Sequence, residues 1–389
     1  MQNLALVDLK SQINLLLTDT YIAWDSNTRY LSFPWIDVIG SKLSSIPLHF
    51  SILIFHREKD KFKVYQLKQK TQDLVQEIID TITKKTSQQR SFALFLNPIS
   101  GNKTSKKVYK NWISKILDYS GCYHKLYELN ERNYFENFDL QELGEYTDII
   151  CVGGDGTMQE LLTKIYVSHF DLGKWNFGII PTGSQNALSC ELNGRSLTGA
   201  LLSMVKGKSQ FCDIMKVYLD NNVLLATTAV AWGLVSDISE LAQNYRALGA
   251  LRYEFTSFIR IFKEWKRYLA EVQSDGITTS SEYLCVMVGN NCAKSLKGSE
   301  MVFPKGNIRD GYLDLEIIDA VGRIETIQIF NKMRNNGQHL DSKKVSYKKT
   351  KGVTISAINH NVFNIDGEIF YGKKVTIEIL PEFIRFLMI

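Results

Sequence analysis

The residues with the most chemical promise form one run, Cys151-Val152-Gly153-Gly154-Asp155-Gly156-Thr157. An apolar stretch, 148–152, leads into it, and a stretch with helical character, 158–166, leads out. Glycines at 153, 154 and 156 let the backbone come close to an anionic ligand. Successive N–H groups at a helix start favour phosphate. An aspartate in such a cradle repels its ligand unless it serves a metal ion or a proton transfer. The plainer reading is a glycine-rich turn in which Asp155 caps the following helix.

Two further loops have the same character. Asn97-Pro98-Ile99-Ser100-Gly101-Asn102-Lys103 follows the apolar run 92–96, and Pro181-Thr182-Gly183-Ser184-Gln185-Asn186-Ala187 follows 177–180. Each alone is an ordinary connection. Three polar, glycine-containing loops on one edge of one sheet describe a nucleotide cleft.

Strand, loop and helix repeated three times imply a parallel α/β domain, which we expect over residues 89–208. Before it, residues 1–88 show short strand-like runs at 21–24, 30–35, 50–55 and 62–65. They end in a helix faced by Leu74, Val75, Ile78, Ile79 and Ile82. This pattern predicts a small, separable PH-like β-barrel, with the polar run 84–90 as a linker. After it, residues 209–389 read as an antiparallel β-rich domain interrupted by one long helical stretch, 237–270. The fold class is therefore α/β plus all-β.

The 389 residues are too many for one ordinary core. With 44% hydrophobic and 22% charged residues, the composition excludes disordered, collagen-like and low-complexity classes. A formal charge of +5 suits a phosphate-bearing partner but not a protein that coats nucleic acid, so no nucleic-acid partner is expected. The six cysteines contain no C-x-x-C pair, and the six histidines form no HExxH cluster. No metal-ligating set can be named from the sequence. Sparse cysteines, an N-terminus without the charge and apolar pattern of a secretory signal, and no apolar stretch long enough to span a bilayer lead us to expect a cytoplasmic chain, at most peripheral to a membrane.

Two motifs are decoys. Gly367 to Lys373 fits G-x-x-x-x-G-K, but Lys374 stands where a P-loop needs Ser or Thr. Asn102-Lys103-Thr104 is a glycosylation sequon without meaning in a cytosolic chain. Lys343, Lys344, Lys348, Lys349 and Lys351 form a basic run that reads as a solvated hairpin or as an attraction to anionic lipid. The apolar C-terminus, 383–389, is expected to pack against another domain.

The three loops, in this order, resemble those of the diacylglycerol-kinase-like lipid kinases. The third, Gly183-Ser184-Gln185-Asn186-Ala187, is most similar to that of the sphingosine kinases. The resemblance continues through Ala231 to Asp237, Tyr245 to Gly249, Arg252 to Phe255, Asp310 to Leu315 and Asp366-Gly367-Glu368, and covers about 91 to 385. It implies two domains with ATP and Mg²⁺ in the cleft between them, a lipid tail in the second, and a peripheral membrane surface as partner. It implies that Asp155 is the catalytic carboxylate, taking the proton of a lipid hydroxyl. Asn97, Ser100, Gly101, Asn102, Lys103, Asn130, Gly153, Gly154, Gly156, Thr157, Gly183, Ser184, Asn186, Arg246, Arg252, Gly367 and Glu368 would face the nucleotide. Asp237, Ser239 and Gln243 would face the lipid headgroup, and here the chain departs from the sphingosine kinases: Ser239 and Gln243 stand at acidic family positions. The implied activity is phosphorylation of the primary hydroxyl of a sphingoid base, sphingosine to sphingosine 1-phosphate. The alternative is a ceramide or diacylglycerol kinase, ahead of an NAD kinase or a catalytically dead membrane adaptor.

Overall fold

The computed structural model describes residues 5–8, 15–26, 29–86, 89–130, 134–248, 251–263, 265–293 and 301–389. The site is held by a parallel sheet of the strands Tyr123–Glu128, Ser91–Leu96, Asp148–Gly153 and Asn176–Pro181, in that spatial order. Their apolar runs are buried on both faces, as expected where helices cover a parallel sheet. The sequence reading missed Tyr123–Glu128 because an edge strand alternates in burial instead of running apolar.

The chain leaves Ser91–Leu96 through Asn97–Thr104 into a helical run, Ser105–Val108, Tyr109–Ile113 and Ser114–Ser120, whose middle section is a π-turn. It leaves Asp148–Gly153 directly into the helix Asp155–Val167. The first run packs with Leu94 and Val152, the second helix with Ala93 and Cys151, so the two lie on opposite faces of the sheet. Two neighbouring strands whose connections diverge open a crevice at their carboxyl ends.

The β-rich half is antiparallel. Lys208–Leu219 pairs with Lys374–Met388 over most of its length, and Tyr268–Ser274, Ile277–Gly289 and Leu313–Asp319 follow side by side. The final strand reaches back to the parallel sheet, where Arg385 and Phe386 pair with Asn176 and Phe177. Ile384, Phe386 and Leu387 are buried there, the packing expected of the apolar C-terminus. The single helix expected over 237–270 is instead two, Leu234–Ala242 and Leu251–Phe262, joined by the 3-10 turn Gln243–Leu248. Tyr245 leaves helical dihedrals (φ −114°, ψ 29°), and a strand begins at Tyr268.

The N-terminal strands form a four-stranded and a three-stranded sheet, with the helix Gln72–Thr86 packed on both. The expected barrel does not close among the described residues: no strand pairing joins the two sheets. The edge strand Val38–Leu43 carries a bulge at Val38–Gly40 and packs on the helix Ser114–Ser120. Of the expected linker 84–90, Lys84 to Thr86 belong to the helix, Arg90 donates to the carbonyl of Gly207 at 2.6 Å, and residues 87 and 88 lie outside the described residues. The lysine run does not form the expected hairpin: Val345–Thr350 pairs with Leu313–Asp319, and the next strand, Gly352–Ala357, pairs with Tyr268–Ser274 and Lys374–Met388 instead. Lys348 pairs with Asp275 and Lys349 with Asp310 and Asp314, which leaves less free charge than the sequence suggests. No helix among the described residues is long and apolar enough to cross a membrane.

Candidate functional site

A cleft of about 450 Å³ opens at the carboxyl ends of the parallel strands. All three loops line it, through Asn97, Ser100, Gly101, Asn102, Gly154, Asp155, Gly156, Thr157, Gly183, Ser184 and Asn186. Ser239, Gln243, Arg252, Tyr253, Asp366, Gly367 and Glu368 from the β-rich half complete the wall.

Glycine is required where the loops meet. Gly101 has φ +51°, and a Cβ there would lie 2.4 Å from the Thr182 carbonyl oxygen. A Cβ on Gly183 would lie 2.5 Å from Gly154 Cα, and one on Gly156 would lie 2.9 Å from a Glu368 carboxylate oxygen. Gly153 is buried behind the cleft, where its carbonyl accepts the N–H groups of Thr182 and Gly183 at 2.9 and 3.2 Å. Side chains lock the loops further. Asn97 Nδ2 donates to Thr157 Oγ1 at 2.9 Å, and the Asn186 amide both accepts from the Gly183 N–H and donates to its carbonyl.

Asp155 is 9% exposed. Its carboxylate accepts the backbone N–H groups of Ala187 and Leu188 at 2.9 and 3.0 Å. It therefore caps the helix Ala187–Asn193, not the helix it begins. Burial pushes its carboxyl up to about 6; the two N–H bonds oppose the rise and the charge of Asp366 adds to it. Asp366 is also buried and also raised by desolvation. It accepts from the N–H groups of Thr227, Thr228 and Ala229 and from Thr227 Oγ1, all within 2.9 Å. The sequence reading did not single it out as a site residue, although it begins the Asp366-Gly367-Glu368 motif. Thr182, which also lines the cleft, was missed as well; its buried hydroxyl has no hydrogen-bond partner among the described residues.

Other expected residues lie elsewhere. Lys103 and Asn130 are exposed and outside the cleft wall. Arg246 lies in the turn Gln243–Leu248, and its side chain is outside the described residues. Arg252 lines the cleft, its guanidinium stacked on Tyr253 at 4.7 Å and donating to the Tyr253 hydroxyl. Asp237 does not line it. Its fully buried carboxylate meets Arg260 at 3.1 Å, Lys266 at 3.3 Å and the Tyr268 hydroxyl at 2.9 Å. Ser239, two residues on, does line the cleft, with its hydroxyl donating back to the Val235 carbonyl.

No three His, Cys, Asp or Glu side chains among the described residues come together as a metal cage. Asp155, Asp366 and Glu368 do share one cleft. That donor set fits Mg²⁺ held by one or two carboxylates, water and substrate phosphates.

Residues 91–217 match the diacylglycerol kinase catalytic domain, and residues 228–388 match the YegS C-terminal NAD kinase beta sandwich-like domain. A diacylglycerol kinase of Staphylococcus aureus is 26% identical over 293 residues, covering 72% of this chain and 86% of its own. Sphingosine kinase 1 of Arabidopsis thaliana is 20% identical over 345 residues, covering 73% and 70%. A putative diacylglycerol kinase from Bacillus anthracis str. Sterne shares the fold, with a TM-score of 0.60 at 19% identity over 77% of this chain and 97% of that one. Two adjoining domain matches around one cleft place the chain in the diacylglycerol-kinase/YegS-like lipid kinase family.

Proposed function

We propose that the protein transfers the γ-phosphoryl group of ATP to the primary hydroxyl of a neutral glycerolipid, diacylglycerol, in place of the sphingoid base expected from the third loop. The observation that carries this reading is the environment of the two aspartates. Asp155 is a buried carboxylate in a cleft walled by three glycine loops, with no cationic partner among its hydrogen bonds. Asp237, the carboxylate that the resemblance assigns to the headgroup, is taken up by Arg260 and Lys266. Ser239 and Gln243 offer a protonated amine hydrogen bonds but no charge of their own, the cleft carboxylates Asp155, Asp366 and Glu368 are assigned here to the proton and the metal, and an unpaired buried charge is costly. A neutral headgroup carries no such penalty. The name and the higher identity of the Staphylococcus relative support the same choice.

In the proposed step the lipid hydroxyl oxygen attacks the γ-phosphorus. The new O–P bond forms as the bond to the β,γ-bridging oxygen breaks, and ADP leaves. Asp155 accepts the hydroxyl proton, a task suited to a carboxyl raised to about 6. Loop N–H groups at the start of Asp155–Val167 and the Arg252 guanidinium would neutralise phosphate charge. Mg²⁺, held by Asp366 or Glu368 together with the phosphates, would supply further charge neutralisation. A peripheral position at a membrane is supported by the helix Leu251–Phe262, which leaves Phe255, Phe258 and Phe262 44%, 55% and 46% exposed.

Labelled ATP offered with diacylglycerol, ceramide, sphingosine, dihydrosphingosine and NAD tests the reading. Label in phosphatidate is expected. Label in sphingosine alone would restore the sphingoid-base reading, and label in none would leave an inactive adaptor.

A further inference from the structure

The first 90 residues lie outside both matched domains. Their described strands are nevertheless built into the wall behind the cleft. Ile39, Leu53, Phe55, Phe62 and Val64 share one apolar core with Val108, Trp112, Ile113, Ile116 and Leu117 of the helical run that follows the first loop. The same core takes in Ala200, Leu201, Met204 and Val205 of the helix Leu197–Lys206, downstream of the third loop. The helix that begins at Asp155 belongs to the core on the other face of the sheet.

The seam is specific as well as apolar. A Cβ on Gly40 would lie 1.9 Å from the Tyr119 carbonyl oxygen, so the edge strand fits the helix end only with glycine there. The Tyr119 hydroxyl donates to Ser51 at 2.8 Å. Asp60 accepts from Ser196 at 2.8 Å and Thr198 at 2.6 Å, and Ser196 is itself the cap of the helix Leu197–Lys206. At the other end of the braced helix, Ser105 Oγ donates to the Asn97 carbonyl at 2.5 Å, which ties its first turn to the cleft loop. Between the two ends lies the π-turn Tyr109–Ile113, a geometry that recurs at functional positions.

We propose that the N-terminal module is a brace for nucleotide binding: it fixes the helices behind the first and third cleft loops and so sets affinity for the phosphate-bearing substrate, while the helix Asp155–Val167 is held by the separate core on the opposite face. Ser51 and Asp60 act as positioning residues. The proposal rests on the reading of the cleft as a nucleotide site.

The test uses the full chain carrying Ser51→Ala and Asp60→Ala together. Loss of these hydrogen bonds is expected to raise KM for ATP roughly three- to tenfold. The turnover number and KM for lipid should stay within about twofold, the range that hydrogen bonds remote from the lipid wall should leave untouched. Amide hydrogen exchange should speed up in 97–120 and remain as in wild type in 155–167. Gly40→Val, read by exchange alone, provides the same contrast if the double variant is too mild. Unchanged exchange in 97–120 for both variants, or a KM for ATP that does not move while stability falls, would overturn the brace. A wild-type protein that binds no ATP yet shows the predicted exchange contrast would overturn the nucleotide reading and leave the mechanical coupling standing.

Discussion

Two buried aspartates stand in regions with opposite design. Asp237 lies under the paired helices of the β-rich half, compensated by Arg260, Lys266 and Tyr268. Asp155 lies in the cleft, compensated only by backbone N–H groups, with a second carboxylate, Asp366, contributing unfavourable charge. A carboxylate with cations at hand is held in place and spent on packing the Leu251–Phe262 helix against Leu234–Ala242. A carboxylate with dipoles but no cation keeps a raised proton affinity and can exchange a proton near neutral pH. On the proposed function the difference separates an anchor from a reagent, although both residues lie in the first turn of a helix and look alike in the sequence.

The comparison breaks first at Asp155. Asp155→Asn keeps the shape and one acceptor for the Ala187–Leu188 amides, so the fold should persist. Loss of the base should lower turnover by about 10²–10⁴-fold, measured in single turnovers with ATP binding checked separately. Turnover within threefold of wild type would remove Asp155 from the chemistry.

Asp237→Asn should show the reverse pattern. It removes the carboxylate of a buried ion pair with Arg260, a change that costs about 3–5 kcal/mol. Denaturant unfolding should report that loss, while turnover per folded molecule stays near wild type. A variant as stable as wild type but unable to phosphorylate lipid would make Asp237 a substrate residue after all.

The smallest expected effect sharpens the contrast by moving a carboxylate. Ser239→Asp places an acid on the cleft wall without the Asp237 cations. It should lower KM for sphingosine roughly tenfold, the worth of a charge-assisted hydrogen bond. KM for diacylglycerol should be unchanged or higher. If neither constant moves, Ser239 does not face the headgroup.

What the sequence made legible was local. Gly101, Gly154 and Gly183 announced the loops because each follows an apolar strand and precedes a helix, and the cleft brings all three together. Asp366 escaped notice as a site residue because its partners, Thr227 to Ala229, are about 139 residues away. The resemblance puts Asp237 at the headgroup, but no local pattern shows the arrival of Lys266 from 29 residues downstream, which takes up its charge. The N-terminal barrel failed to close for a similar reason: the bulge and Gly40 on Val38–Leu43 serve a contact with Tyr119, which no strand pattern reveals.

The central claim is that Asp155 takes the lipid proton, and the dependence of kcat/KM on pH tests it most directly. The folded protein holds the Asp155 proton more tightly than the unfolded chain, so this group's contribution to stability falls as pH rises toward 6 while its competence as a base grows. The kcat/KM of wild type should therefore climb through a midpoint near 6, with ATP and lipid ionisation controlled. The residual activity of Asp155→Asn should lack that limb. A profile flat from about pH 5 to 8 in wild type, or a limb that survives in the variant, would contradict the account.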